Sequence, residues 1–241
     1  MATANSLIRI AFLGAESTGK TQLSEALATH LRARGQEVHW VGEYLRTWCD
    51  AQGRTPEPLE QAQIAQQQAD AVLQHASGTV IADTTPMMTA VYSHKLFNDE
   101  SLYAMAAAHQ RVYDMTLITG LDLPWVADGL QRDGPHVREP VDAMLRAALQ
   151  NAGVAFTVIY GEGEERLNNA LLALGWDKKN ASSLGDLSLN ASRSASLREA
   201  QTTRNQAQYA LNRGRTTWAC DKCSDAECEH RLFSDLLQRP E

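Results

Sequence analysis

No apolar run in this sequence approaches the ~20 residues needed to cross a bilayer; the longest are strand-sized, so a membrane partner is not expected. Basic charge is also short. Lys and Arg number 22 against 29 Asp and Glu, giving a net charge of −7 and a pI near 5.5. A general nucleic-acid binder carries a basic face, so this balance disfavours such a partner. The opening residues lack the basic-then-apolar pattern of a secretory leader. Cysteine is scarce and unevenly placed, four in 241 residues with three crowded near the C-terminus. That clustering reads as metal binding in a reducing compartment rather than a disulfide framework, and the cytoplasm is the expected location. What remains is ordinary globular composition, 44% hydrophobic and 21% charged, enough for one α/β domain and an appendage.

Over roughly residues 7–176 short apolar runs alternate with longer helical patterns. Strands are expected at 7–13, 38–41, 79–82, 115–118 and 156–160. Between them, Leu23, Leu27 and Leu31 mark one face of a first helix, a Gln- and Ala-rich helix covers 58–76, and further helices cover 86–96, 101–110 and the stretch up to about 151. Such alternation implies an α/β fold with a mainly parallel sheet, right-handed crossovers and flanking helices. After Trp176 the composition turns to Ser, Asn and Ala. Residues 1–176 are therefore expected to form the main domain, and 177–241 an extension with a linker, a weak helix and the cysteine cluster.

The sharpest signal is Gly14-Ala15-Glu16-Ser17-Thr18-Gly19-Lys20-Thr21, which satisfies G-x-x-x-x-G-K-[ST] between an apolar strand and an amphipathic helix. Glycines let successive backbone N–H groups turn inward on phosphate oxygens, and the helix N-terminus adds partial positive charge. Lys20 is expected to reach the β- and γ-phosphates of ATP, and the Thr21 hydroxyl to ligate Mg²⁺. Ligands of open α/β sheets bind beyond the carboxyl ends of the strands. Glu43 follows the second strand there and Asp83 the third. One of this pair would hold Mg²⁺ and the other accept the proton of an attacking hydroxyl, and the sequence leaves open which does which. Arg46 shares a face with Glu43 if a helix begins there, as part of the site or as a surface ion pair.

Residues 122–139 form a long polar loop between the fourth strand and the next helix, where a lid belongs. Arg132 and Arg138 are expected to fold over the phosphates, and closure would exclude water. At the other end, Cys220-x-x-Cys223-x₄-Cys228-x-His230 offers four soft ligands suited to a structural Zn²⁺, with Cys49 or water as alternatives for the fourth position.

Taken together, the cradle, Glu43-Tyr44-Leu45-Arg46, Asp83-Thr84-Thr85 and the lid Pro124-Trp125-Val126-Ala127-Asp128-Gly129-Leu130 resemble the ribosylnicotinamide kinase domain of the NadR family, over about residues 7–160. The resemblance implies a nucleoside-kinase-like P-loop fold and ATP-dependent phosphorylation of the 5′-hydroxyl of nicotinamide riboside. It implies that Glu43, Tyr44, Arg46, Tyr92, Trp125 and Asp128 lie at the acceptor site, with Trp40, Tyr44, Tyr92 or Trp125 stacking on the pyridinium ring. No His-x-Gly-His motif of the family's adenylyltransferase domain occurs, so that activity is not expected. Another nucleoside or nucleoside-monophosphate kinase would use the same cradle. An ATP-dependent regulatory switch acting through the tail is the reading from a different class.

Overall fold

The computed structural model describes residues 7–126 and 135–176. Its centre is a five-stranded sheet built from β1 (Ile8–Leu13), β2 (Val38–Val41), β3 (Thr79–Asp83), β4 (Met115–Thr119) and β5 (Thr157–Ile159). The strand order is β2-β3-β1-β4-β5 and every pairing is parallel. The helices are α1 (Lys20–Arg32), α2 (Tyr44–Gln52), α3 (Gln61–Leu73), α4 (Pro86–Phe97), α5 (Tyr103–Gln110), α6 (Arg138–Asn151) and α7 (Gly163–Ala173). None of the described helices is long and apolar enough to cross a membrane.

Side chains of β1 alternate between the two faces, as the two-residue period of a strand requires. Ile10 and Phe12 pack with Leu23, Leu27 and Leu31 of α1 and with Leu171 of α7. Leu13 points the other way, toward Met87 and Val91 of α4 and Leu145 of α6. The strands are near-continuous apolar runs because both faces are covered. Each fully buried side chain of this size contributes about 1.5–3 kcal/mol.

Two expected boundaries shift for local reasons. The Gln-rich helix opens with a 3₁₀ turn, Pro58–Glu60, held by a reciprocal cap between Glu57 and Glu60, and α3 follows it. It stops at Leu73, ahead of the left-handed Gly78 (φ 75°) that turns the chain into β3. The fifth strand, expected over 156–160, is only Thr157–Ile159, paired on one side with β4.

The topology decides where ligands go. Neighbouring strands β1 and β3 send their following helices, α1 and α4, to opposite faces of the sheet. A crevice opens beyond their carboxyl ends, with the glycine turn on one side and Asp83 on the other. Phe12 and Asp83 are register partners across it.

Candidate active site

Between β1 and α1 the backbone makes conformations that an ordinary side chain resists. Gly14 has φ 144°, and a Cβ there would run into the Thr119 hydroxyl. Gly19 caps α1 at φ 76°, and Ser17 also lies in the left-handed region at φ 56°. A buried hydroxyl network fixes the turn. Thr18 Oγ1 donates to the Ala15 carbonyl at 2.7 Å and lies 2.6 Å from Thr119 Oγ1, which is itself 3.2 Å from the Leu13 carbonyl. The Lys20 ammonium donates to that same Ala15 carbonyl at 2.9 Å. Losing Lys20 to a phosphate therefore leaves Ala15 with a donor still in place.

Thr21, at the start of α1, donates its hydroxyl to Asp83 Oδ2 at 2.6 Å. Asp83 is 1% exposed and its other oxygen has no hydrogen-bond partner. Burial pushes its carboxyl pKa up, opposed by the Thr21 hydrogen bond and the positive charges of Lys20 and Arg46. A hydroxyl and a carboxylate in contact, with one buried oxygen unused, form a hard-oxygen set that fits Mg²⁺. Next in the chain, Thr84 takes φ 72°, a conformation β-branched residues avoid, at a cost of about 1–3 kcal/mol. Its amide is tied to the Phe12 carbonyl at 2.9 Å, which holds the strand end against β1. Thr85 then caps α4 by accepting from the Met87 amide at 3.2 Å.

From the cradle a cleft of about 870 Å³ runs between α2 and α4. Glu43 immediately precedes α2, and the chain does begin a helix there, so Glu43 and Arg46 share a face with 3.8 Å between carboxylate and guanidinium. Both line the cleft, as does Tyr92. Opposite, Met88, Leu96 and Phe97 of α4 make an apolar wall that leaves Leu96 52% exposed.

Not every expected residue arrives. Tyr44 gives its backbone amide to Gln68 at 2.7 Å and does not line the cleft. Trp40 is spent on structure, its indole donating to Ser24 at 3.0 Å while the ring packs on the core. Arg138 does not fold over the cradle. It opens α6, is 8% exposed and donates to the Leu121 carbonyl at 3.3 Å. That carbonyl lies past the end of β4, and the likewise buried Arg166 binds the Gly161 carbonyl at 2.9 Å. The start of the lid does reach the turn. Trp125 donates to Glu16 at 3.2 Å, and the Val126 amide donates to Ser17 at 2.8 Å. Asp128 and Arg132 lie outside the described residues, as do Cys220, Cys223, Cys228 and His230. Among the described residues no group of three or more His, Cys, Asp or Glu side chains is placed to hold a metal.

The sequence reading missed Thr119, which is wholly buried, and Gln61, the first residue of α3, which is 4% exposed and lines the cleft. Neither carries a local signal, since a Thr ending an apolar run and a Gln in a Gln-rich helix read as ordinary.

Comparison with known proteins agrees with this fold. The chain is similar to a solved NadR protein in complex with NR, at 21% identity and a TM-score of 0.56, over 69% of this chain and 50% of that one. It is also similar to thymidylate kinase from Ehrlichia chaffeensis, at 14% identity and a TM-score of 0.51, over 70% of this chain and 98% of that one. At such identities the likeness is one of fold, and the chain spans only half the length of the NadR protein. No curated protein matches in sequence. The AAA domain family matches residues 9–166, from within β1 through the cradle and Asp83 into α7. The chain belongs to that family of P-loop nucleotide-binding proteins.

Proposed function

We propose that this chain transfers the γ-phosphoryl group of ATP to a nucleoside hydroxyl, with the 5′-hydroxyl of nicotinamide riboside as acceptor and nicotinamide mononucleotide as product. The observation that carries the reading is one continuous cleft with a triphosphate cradle at one side and Glu43, Arg46 and an apolar helix face at the other. A hydrolytic switch has no need of the second half. The sequence resemblance to the ribosylnicotinamide kinase domain and the fold shared with a NadR protein solved with NR support the choice of riboside.

In this reading the backbone of 14–19 binds the phosphates and Lys20 moves from the Ala15 carbonyl onto the β- and γ-oxygens. Thr21 and Asp83 hold Mg²⁺, which when bound neutralises charge on the phosphate oxygens. Their 2.6 Å contact supports giving Asp83 the metal and Glu43 the proton. The acceptor oxygen forms its bond to the γ-phosphorus as the bond to the bridging oxygen breaks, and its proton passes to the Glu43 carboxylate. Arg46 orients that carboxylate, and Tyr92 with the α4 wall receives the base. Trp125, tied to Glu16, closes the nucleotide side of the lid.

A coupled ADP-release assay over ribosides, nucleosides and nucleoside monophosphates tests this. Nicotinamide riboside should stimulate release, with the mononucleotide seen by mass spectrometry. ADP release indifferent to every acceptor overturns the kinase reading.

A further inference from the structure

Gln61 is 4% exposed, and its side-chain amide has no hydrogen-bond partner among the described residues. It lines the cleft, and its polar atoms are not among those sealed from solvent without a partner. The other buried glutamines differ. Gln68, two turns further along α3, accepts from the Tyr44 amide at 2.7 Å and donates to the Gly42 carbonyl at 3.3 Å. Gln110 accepts from Thr85 at 2.6 Å and donates to Thr116 at 3.0 Å. The Gln61 amide instead stays open to the cleft, where water or a bound ligand completes it. Position says what that ligand is. α3 packs against both α2 and α4, and its first residue lines the same cleft as Glu43 and Arg46 on one side and Met88 and Tyr92 of α4 on the other.

We infer that Gln61 reads the base of the acceptor, and that the acceptor class is a nucleoside whose base presents an amide edge, a carbonyl beside an N–H, as in a pyridine carboxamide or a pyrimidine lactam. The inference rests on the nucleoside-kinase reading above. An amide is the complement of an amide: Gln61 Nε2 donates to the base carbonyl while Oε1 accepts from the base N–H. The apolar wall takes the ring, and Gln61 fixes which edge faces inward. A ring lacking that edge leaves Gln61 as idle as it stands now, so discrimination arises from the protein's own unpaired group.

The test compares kcat/KM for nicotinamide riboside with that for the riboside of unsubstituted pyridine, in the wild-type protein and in Gln61→Met, which keeps the length and removes both hydrogen-bonding functions. The wild type should prefer the carboxamide by about 10- to 30-fold, mostly through KM, the value of two net hydrogen bonds. Gln61→Met should compress that preference to within about threefold while the KM for ATP stays unchanged, which also reports a folded cradle. Gln61→Glu, which keeps shape but loses the donor, should likewise weaken nicotinamide riboside and turn further against nicotinic acid riboside by like-charge repulsion. A preference retained in Gln61→Met, or a wild type that takes both ribosides equally, overturns the role of Gln61 and leaves the kinase reading standing. A wild type that phosphorylates no nucleoside overturns both.

Discussion

Replacing Thr119 by Val should loosen a cradle that Thr119 itself never lends to the nucleotide. The two hydroxyls of Thr18 and Thr119 carry two protons among three contacts, to Ala15, to each other and to Leu13. With Val at 119, Thr18 still donates to Ala15 but loses its 2.6 Å partner, and nothing can replace it because both residues are 0% exposed. One buried hydrogen bond is worth about 0.5–1.5 kcal/mol net. For a chain of this size, about 1 kcal/mol lowers Tm by about 2–4 °C. If the whole loss fell on the nucleotide-binding conformation, the KM for ATP would rise by about two- to 13-fold and no more. Thermal melts and ATP titration of the rate measure both quantities, with Thr119→Ser as the control that keeps the hydroxyl. A Val variant with wild-type Tm and wild-type KM would refute the network's role in shaping the turn. A Ser variant damaged as much as Val would shift the effect to the lost methyl group.

Lys20→Ala should lower kcat by about 10²- to 10³-fold, the usual cost of removing one preorganised charge from phosphoryl transfer, and wild-type turnover would refute the cradle. Glu43→Gln should cut kcat by about 10²- to 10⁴-fold while ATP affinity by calorimetry stays nearly intact; an equal loss of affinity would move Glu43 to the nucleotide. His109, on α5, is 7% exposed, and burial pushes its imidazole pKa below the ordinary 6.5. The unfolded chain then binds more protons than the folded one as pH falls below 6.5, so stability is complete above that pH and declines toward the lowered native value. His109→Phe should flatten that decline in urea melts taken between about pH 7 and pH 5, and an unchanged slope would place the dependence elsewhere.

How much of this was legible in the sequence depends on how local each feature is. The turn at 14–21 could be read whole because its function lies in the backbone, and Gly14 and Gly19 at φ 144° and 76° leave few alternatives. Asp83 was legible for a related reason: an apolar strand that ends in a carboxylate has already declared which end of the sheet it occupies. The side of the cleft away from the cradle, proposed for the acceptor, is assembled from α2, the start of α3, and α4, with the 55–56 link between the first two, so each of its residues looks ordinary in its own segment. Trp40 and Arg138 show the difficulty from the other direction. An aromatic beside the site and a lid arginine fit the expected chemistry, yet a Ser24 hydroxyl and the Leu121 carbonyl had prior claims that only the packing reveals. Gln61 is the same lesson inverted. Three glutamines occur at 66–68 in α3, and nothing in composition separates Gln68, which is fully engaged, from Gln61, whose amide is idle. The cradle repeats across its class because a triphosphate always asks for the same amides. Acceptor identity, in contrast, must reside where side chains from separate elements converge, and there an unpaired polar group among paired ones says more than any motif.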